Sequence, residues 1–146
     1  MKALVTRVSE AEIIVNNTVI SAVKEGVVVF LGVEKGDQDA QALNIAKKIA
    51  NLRIFENEEG KLHYSVKEKG YEVLCISNFT LCAKIDKGRR PSFEQSMVKE
   101  EADKLFDNFT LLLEGQGLKV KKGVFGEHMD IKLNMDGPVN IIIENN

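Results

Sequence analysis

Val27-Val28-Val29-Phe30-Leu31-Gly32-Val33 is the longest apolar run in the chain. It is far shorter than the roughly 20 residues a membrane-spanning helix needs, and its successive β-branched residues suit a buried strand. Working back toward the start, Ala3–Val8, Glu12–Asn16 and Thr18–Val23 are also rich in Val and Ile and are separated by turn residues, so they too read as strands. Asn16-Asn17 tolerates left-handed backbone and predicts a hairpin turn between the second and third of these. An antiparallel meander is the simplest expectation. The opening Met1–Val15 alternates as a strand does and lacks the continuous apolar centre of a secretory signal, so the expected protein is soluble, cytoplasmic and without a membrane partner.

Working outward in the other direction, the period changes after Gly36-Asp37. Ala42, Ile45, Ala46, Ile49 and Leu52 share one helical face and Gln41, Lys47 and Lys48 the other, with Asp37 as the expected N-cap. Pro91-Ser92 announces a second helix, since Ser92 and Gln95 have capping-box spacing. Its apolar stripe is Ala102, Leu105, Phe106, Phe109, Leu112 and Leu113, and Gly115 and Gly117 provide the stop. Strand character returns over Glu72–Leu81, after Leu118, in the alternation Met129, Ile131, Leu133, and in Val139–Glu144. Asn134–Pro138 lies between the last two and reads as a turn. The expected fold is α+β: mostly antiparallel sheets forming a sandwich or partly closed barrel, covered by two amphipathic helices. Residues 1–146 form one domain on this reading.

With 146 residues, 44% hydrophobic and 29% charged, the chain is long enough to bury about two-thirds of its unfolded surface and too apolar to be disordered. A net charge of −2 rules out a surface that binds nucleic acid by charge everywhere, so any RNA contact must be a local patch. Cys75 and Cys82 have neither CxxC spacing nor a histidine nearby and read as core thiols, with no metal expected. His63 and His128 are the only histidines, and neither sits in a nucleophile-elbow or metal-ligand pattern. Phosphate-loop and dinucleotide fingerprints are absent, which argues against nucleotide-driven chemistry.

Three segments carry candidate chemistry. Ser77-Asn78-Phe79-Thr80 places two hydroxyls and an amide at the end of an apolar strand, where a chain leaving a sheet can expose backbone N–H groups to an anion; a polar strand end is the plainer reading. Asn134-Met135-Asp136-Gly137-Pro138 contains an X-Pro bond, for which trans is the ordinary state. Lys87-Gly88-Arg89-Arg90-Pro91 brings three cations ahead of a helix, suited to phosphates or simply to a solvated loop. Lys119, Lys121 and Lys122 extend this patch if their strand lies beside it.

Taken together these segments resemble the D-aminoacyl-tRNA deacylase family, and the likeness runs the length of the chain. It is carried by Lys2-Ala3-Leu4-Val5-Thr6-Arg7-Val8, Phe30-Leu31-Gly32-Val33, Leu52-Arg53-Ile54-Phe55, the stretch from Lys87 to Phe93, and Gly123-Val124-Phe125-Gly126. The family's Ser-Gln-x-Thr motif is matched by Ser77, Phe79 and Thr80, with Asn78 in place of Gln. Its Asn-x-Gly-Pro-aliphatic-Thr motif is matched by Asn134 and then Gly137-Pro138-Val139, with Asn140 in place of Thr. Glu127 stands where the family generally has a small residue.

The resemblance implies a homodimer with each active site at the subunit interface, aminoacyl-tRNA as substrate and no cofactor. It implies a cis Gly137–Pro138 bond whose carbonyls enter the neighbouring pocket, accept the substrate's α-ammonium and exclude an L side chain, leaving D-aminoacyl and glycyl esters to be hydrolysed. The catalytic segment would be Ser77, Asn78, Phe79 and Thr80, with the N–H groups of Phe79 and Thr80 as the oxyanion hole. Substrate binding and L rejection would fall to Asn134, Gly137, Pro138, Val139, Phe125 and Met129, and tRNA contact to Lys87, Arg89 and Arg90. Asn78 keeps the amide but reaches about 1.5 Å less far than Gln. Either Thr80 is a nucleophile or the ribose 2′-hydroxyl of the tRNA assists; the resemblance favours the second. A catalytically silent tRNA-binding relative and a conventional serine or threonine esterase are the alternatives.

Overall fold

The chain opens with β1 (Lys2–Val15), a strand of 14 residues that takes in both of the first two expected strands. β2 (Thr18–Val23) and β3 (Gly26–Gly32) follow. The turn from β1 to β2 is Asn16-Asn17, at φ 50° and 62°, the left-handed pair that a tight hairpin turn asks for. The computed structural model describes residues 1–86 and 88–145. Within them come α1 (Asp39–Asn51), the hairpin β4 (Arg53–Glu56) and β5 (Leu62–Ser65), the single turn α2 (Val66–Lys69), β6 (Glu72–Ser77), a 3-10 turn (Phe79–Cys82), α3 (Lys99–Gly115), β7 (Lys119–Lys122) and β8 (Asp130–Glu144).

The main sheet is mixed, which corrects the expectation of mostly antiparallel sheets. β1 is antiparallel to β2, β3 and β8, but β3 and β6 are parallel, as are β6 and β7. The physical reason lies in the connections: α1 intervenes between β3 and β6 and α3 between β6 and β7, and crossovers through helices bring strands back in the same direction. β2 comes round toward the other edge, where Ser21 Oγ donates to the Lys122 carbonyl at 2.7 Å and Lys121 Nζ to that of Ala22 at 2.6 Å. The result is a curved, nearly closed sheet.

β3 shows why its sequence is apolar throughout. Val27, Val29 and Leu31 enter the core under α1 and α3, together with Ile45, Ile49, Phe106, Phe109 and Leu113. Val28 points to the opposite face, into a second cluster with Val8, Ile13, Val23, Leu74 and Ile76. A strand covered on both faces does not alternate.

Several local readings change. Asp37 does not cap α1; Gln38 does, in a reciprocal pairing with Gln41. The Asp37 carboxylate instead accepts from the Glu34 N–H and from the Met1 ammonium, each at 2.7 Å. Ser92 does not start the second helix, because its backbone pairs with Lys84 (2.9 and 2.8 Å), and α3 begins at Lys99 behind Val98, which offers no side-chain cap. The expected strand Glu72–Leu81 stops at Ser77. The Asn134–Pro138 turn is not a turn between strands but a bulge within the single 15-residue strand β8. Thr6 pairs with Asn140 and Val8 with Met135, so Asp136 to Val139 stand opposite Arg7 alone.

Candidate active site

β6 delivers the catalytic candidates to the end of the sheet. Ser77 is its last residue and still pairs with Leu31. The Asn78 N–H then donates to the Leu31 carbonyl at 2.8 Å, after which the chain leaves the sheet. Asn78 caps the 3-10 turn that follows: its Oδ1 accepts from the Thr80 N–H at 3.2 Å and from Thr80 Oγ at 2.5 Å. A short polar side chain bonding the backbone two residues on is what Asn does readily at such corners. The Thr80 N–H is therefore engaged within the corner. The Phe79 N–H finds no acceptor among the described residues.

This corner forms one wall of a cleft of about 640 Å³, a size suited to a small organic ligand. Its lining joins Ser77, Asn78, Phe79 and Thr80 to Phe125, Gly126, Glu127, His128 and Met129, with Ser96 and with Lys99 and Ala102 of α3. Six candidates, the whole catalytic segment with Phe125 and Met129, thus share one cavity. Gly126 has φ +76°, a left-handed backbone that favours glycine in the loop that carries Glu127 and His128. Ser96 Oγ is buried in the wall with no partner among the described residues. Burial pushes the thiols of Cys75 and Cys82 up, away from the thiolate a nucleophile requires.

Asn134, Gly137, Pro138 and Val139 are not brought to this cleft within the chain. The Gly137–Pro138 bond is cis, and both residues are exposed. The residue that holds them was given no role from sequence. Arg7, on β1 and nearly buried, donates through Nε to the Asp136 carbonyl at 2.8 Å and through Nη1 to the Ile54 carbonyl at 2.7 Å. Its guanidinium also meets the carboxylates of Asp136 (3.3 Å) and Glu56 (3.6 Å). An arginine buried on a strand must be paired, and the partners here are backbone carbonyls far away in the sequence. Asn140 faces Thr6, whose Oγ donates to Asn140 Oδ1 at 2.8 Å, and Val139 packs on the main core.

Lys87 lies outside the described residues. Arg89 and Arg90 are exposed, on a loop pinned at its base by the Lys84–Ser92 pairing. Just beyond that pairing, the ring of Phe93 meets that of Phe79, in the Ser77–Thr80 corner, edge to face at 5.0 Å. The three lysines of β7 have partners inside the molecule: Lys119 the Gly70 carbonyl, Lys121 Glu72, and Lys122 Asp107.

A sequence profile of the family described as D-Tyr-tRNA(Tyr) deacylase matches residues 4–144. The protein called D-aminoacyl-tRNA deacylase in Aquifex aeolicus (strain VF5) is 44% identical over 144 residues, covering 99% of this chain and 97% of its own. The protein of that name in Thermomicrobium roseum is 45% identical, covering 99% and 94%. Among solved structures, the c-Myc DNA Unwinding Element Binding Protein superposes with a TM-score of 0.93 at 39% identity, over 100% of this chain and 99% of that one. A probable eukaryotic D-amino acid tRNA deacylase shares the fold, with a TM-score of 0.81 at 17% identity over 97% of each chain. The profile match takes in both the Ser77–Thr80 corner and the Gly137–Pro138 bulge, and with these relatives it shows that the chain belongs to the D-Tyr-tRNA(Tyr) deacylase family.

Proposed function

We propose that this protein hydrolyses the ester bond of D-aminoacyl-tRNA, and of mischarged glycyl-tRNA, releasing the free amino acid and tRNA. The observation that carries the reading is the corner at the end of β6, where Phe79 lines a cleft of substrate size and its N–H has no acceptor among the described residues. In ester hydrolysis water adds to the carbonyl carbon, the carbonyl oxygen becomes an oxyanion, and the ribose oxygen departs carrying a proton. A preorganised N–H aimed at that oxygen stabilises the transition state more than the ester. The Phe79 N–H is the available donor, and the Thr80 N–H joins it only if Asn78 releases it. The ribose 2′-hydroxyl beside the ester assists the attack, and Thr80 positions.

Chirality is read by a second copy of the chain. Gly137 and Pro138 stand exposed, outside their own cleft, in a segment braced by Arg7. As carbonyls presented to the partner's Ser77–Thr80 corner they accept the α-ammonium and leave no space for an L side chain, while a D side chain points to solvent. Selection by exclusion of the wrong hand admits many D residues and glycine. Arg89 and Arg90 contact tRNA phosphates, and the enzyme works in the cytoplasm. The competing reading is a nucleic-acid-binding protein without turnover, which the name of one similar structure suggests. Incubation with D-Tyr-tRNA, L-Tyr-tRNA and Gly-tRNA separates the two: release of D-tyrosine and glycine with L-tyrosine retained supports the deacylase, and no release from any of them the binding protein.

A further inference from the structure

Both carbonyls of Asn78 are committed to its own corner. The backbone carbonyl accepts from the Leu81 N–H at 3.3 Å, and the side-chain Oδ1 takes both the N–H and the hydroxyl proton of Thr80, at 3.2 and 2.5 Å. A hydroxyl has one proton to give and two lone pairs. With its proton directed onto Asn78, the Thr80 oxygen keeps its lone pairs for the exposed side, and Thr80 is an exposed residue of the cleft wall.

We propose that Asn78 is a positioning residue that orients the Thr80 hydroxyl as a hydrogen-bond acceptor toward the cleft, for an ammonium or hydroxyl donor of the bound ester. The inference rests on the reading that the cleft receives the aminoacyl end of tRNA. It also separates the possible roles of Thr80. An amide oxygen does not take up a proton near neutral pH, so Asn78 holds the Thr80 proton without removing it. Thr80 stays a neutral acceptor and does not become an alkoxide nucleophile.

The test measures single-turnover and steady-state release of tyrosine from D-Tyr-tRNA across pH for the parent protein and four variants. Asn78→Ala frees both the Thr80 rotor and the Thr80 N–H; loss of the oriented acceptor should outweigh the released donor and lower kcat several-fold with KM unchanged. Asn78→Asp keeps an oxygen acceptor at the same reach. It should restore kcat to within about threefold of the parent at neutral pH and add an acid-side limb to the pH profile that neither the parent nor Asn78→Ala has. Thr80→Val removes the hydroxyl at nearly constant shape; adding Asn78→Ala to it should change kcat by less than about twofold, because coupled residues do not lose activity additively. Multiplying losses in the double variant, or an Asn78→Asp protein that is folded yet as slow as Asn78→Ala at every pH, would overturn the role of Asn78 alone. A parent protein that releases no tyrosine would overturn the reading of the cleft and this inference together.

Discussion

The corner at Ser77–Thr80 and the bulge at Asp136–Val139 are built on opposite plans. The corner is concave and self-sufficient: Leu31 holds its entry, Asn78 holds Thr80, and the cleft lies against it. The bulge is exposed and is held from behind, with Arg7 gripping the Asp136 carbonyl while Gly137 and Pro138 lie at the surface. A segment so firmly anchored and yet so exposed suits the presenting role proposed for it. The contrast explains why a single chain holds half of the proposed machinery in its cleft and the other half away from it.

The largest effect is expected at the anchor. Arg7→Ala leaves the Ile54 and Asp136 carbonyls without their charged donor, and buried groups that lose a partner cost about 1–3 kcal/mol each. The urea midpoint should fall by an amount equivalent to roughly 3 kcal/mol, and chiral discrimination should fall with it. An unchanged midpoint would mean that the bulge does not depend on Arg7. Gly137→Ala comes next. A β-carbon there would lie 2.2 Å from the Val139 nitrogen, so the backbone must move at the exposed bulge, with some strain passed to Val139, which packs on the core. D-Tyr-tRNA hydrolysis should drop by at least about tenfold with a smaller loss of stability than Arg7→Ala shows, since small misplacements at a reacting centre cost on that order or more; full activity would detach the bulge from the site.

Smaller changes test the corner and its basic loop. Thr80→Ala removes an acceptor but leaves the Phe79 N–H, so residual activity within roughly tenfold of the parent is expected. A folded Thr80→Ala protein that binds D-aminoacyl-tRNA with no turnover would make Thr80 the nucleophile. Replacing Arg89 and Arg90 by Ala should reduce the slope of log K against log salt by about 0.7–0.9 per lost phosphate contact. An identical slope would return both arginines to solvent.

The legibility of the chain divides along the same line. Periodicity identified the apolar stripes of both long helices, since Ala42, Ile45, Ile49, Phe106, Phe109 and Leu113 are buried as their spacing predicts. It also identified the Val27–Val33 strand, but strand direction is set by connections that a strand's own residues do not encode, and the parallel pairings of β6 were missed. Capping chemistry misled twice, because Asp37 and Ser92 found other partners, Asp37 through the Met1 ammonium and Ser92 through Lys84. The capping boxes that do form are Gln38 with Gln41, one residue past the expected cap, and Ser65 with Glu68, which starts only a single turn and carries no apolar stripe to draw notice. The Ser77–Thr80 corner was legible as a polar strand end. The bulge was not, since Asn134–Pro138 has the composition of a turn and only the pairing of Thr6 and Val8 on β1 shows that the strand continues past it. Arg7 was legible only as part of a family pattern, because its partners are carbonyls 47 and 129 positions away.

The central claim, that corner and bulge meet across two copies of the chain, has a direct test in mixing two crippled proteins. Phe79→Pro removes the candidate oxyanion donor while its ring geometry suits the first position of the turn, and Gly137→Ala disturbs the presented bulge; each alone should be nearly inactive on D-Tyr-tRNA. Unfolded together and refolded as a mixture, half of the dimers pair one of each. Such a hybrid has one site with an intact corner from one chain and an intact bulge from the other, so roughly a quarter of parental activity should return if the site is shared in an isologous dimer. A mixture that stays as inactive as its components, although light scattering and differential tagging show that hybrids have formed, would contradict the shared site.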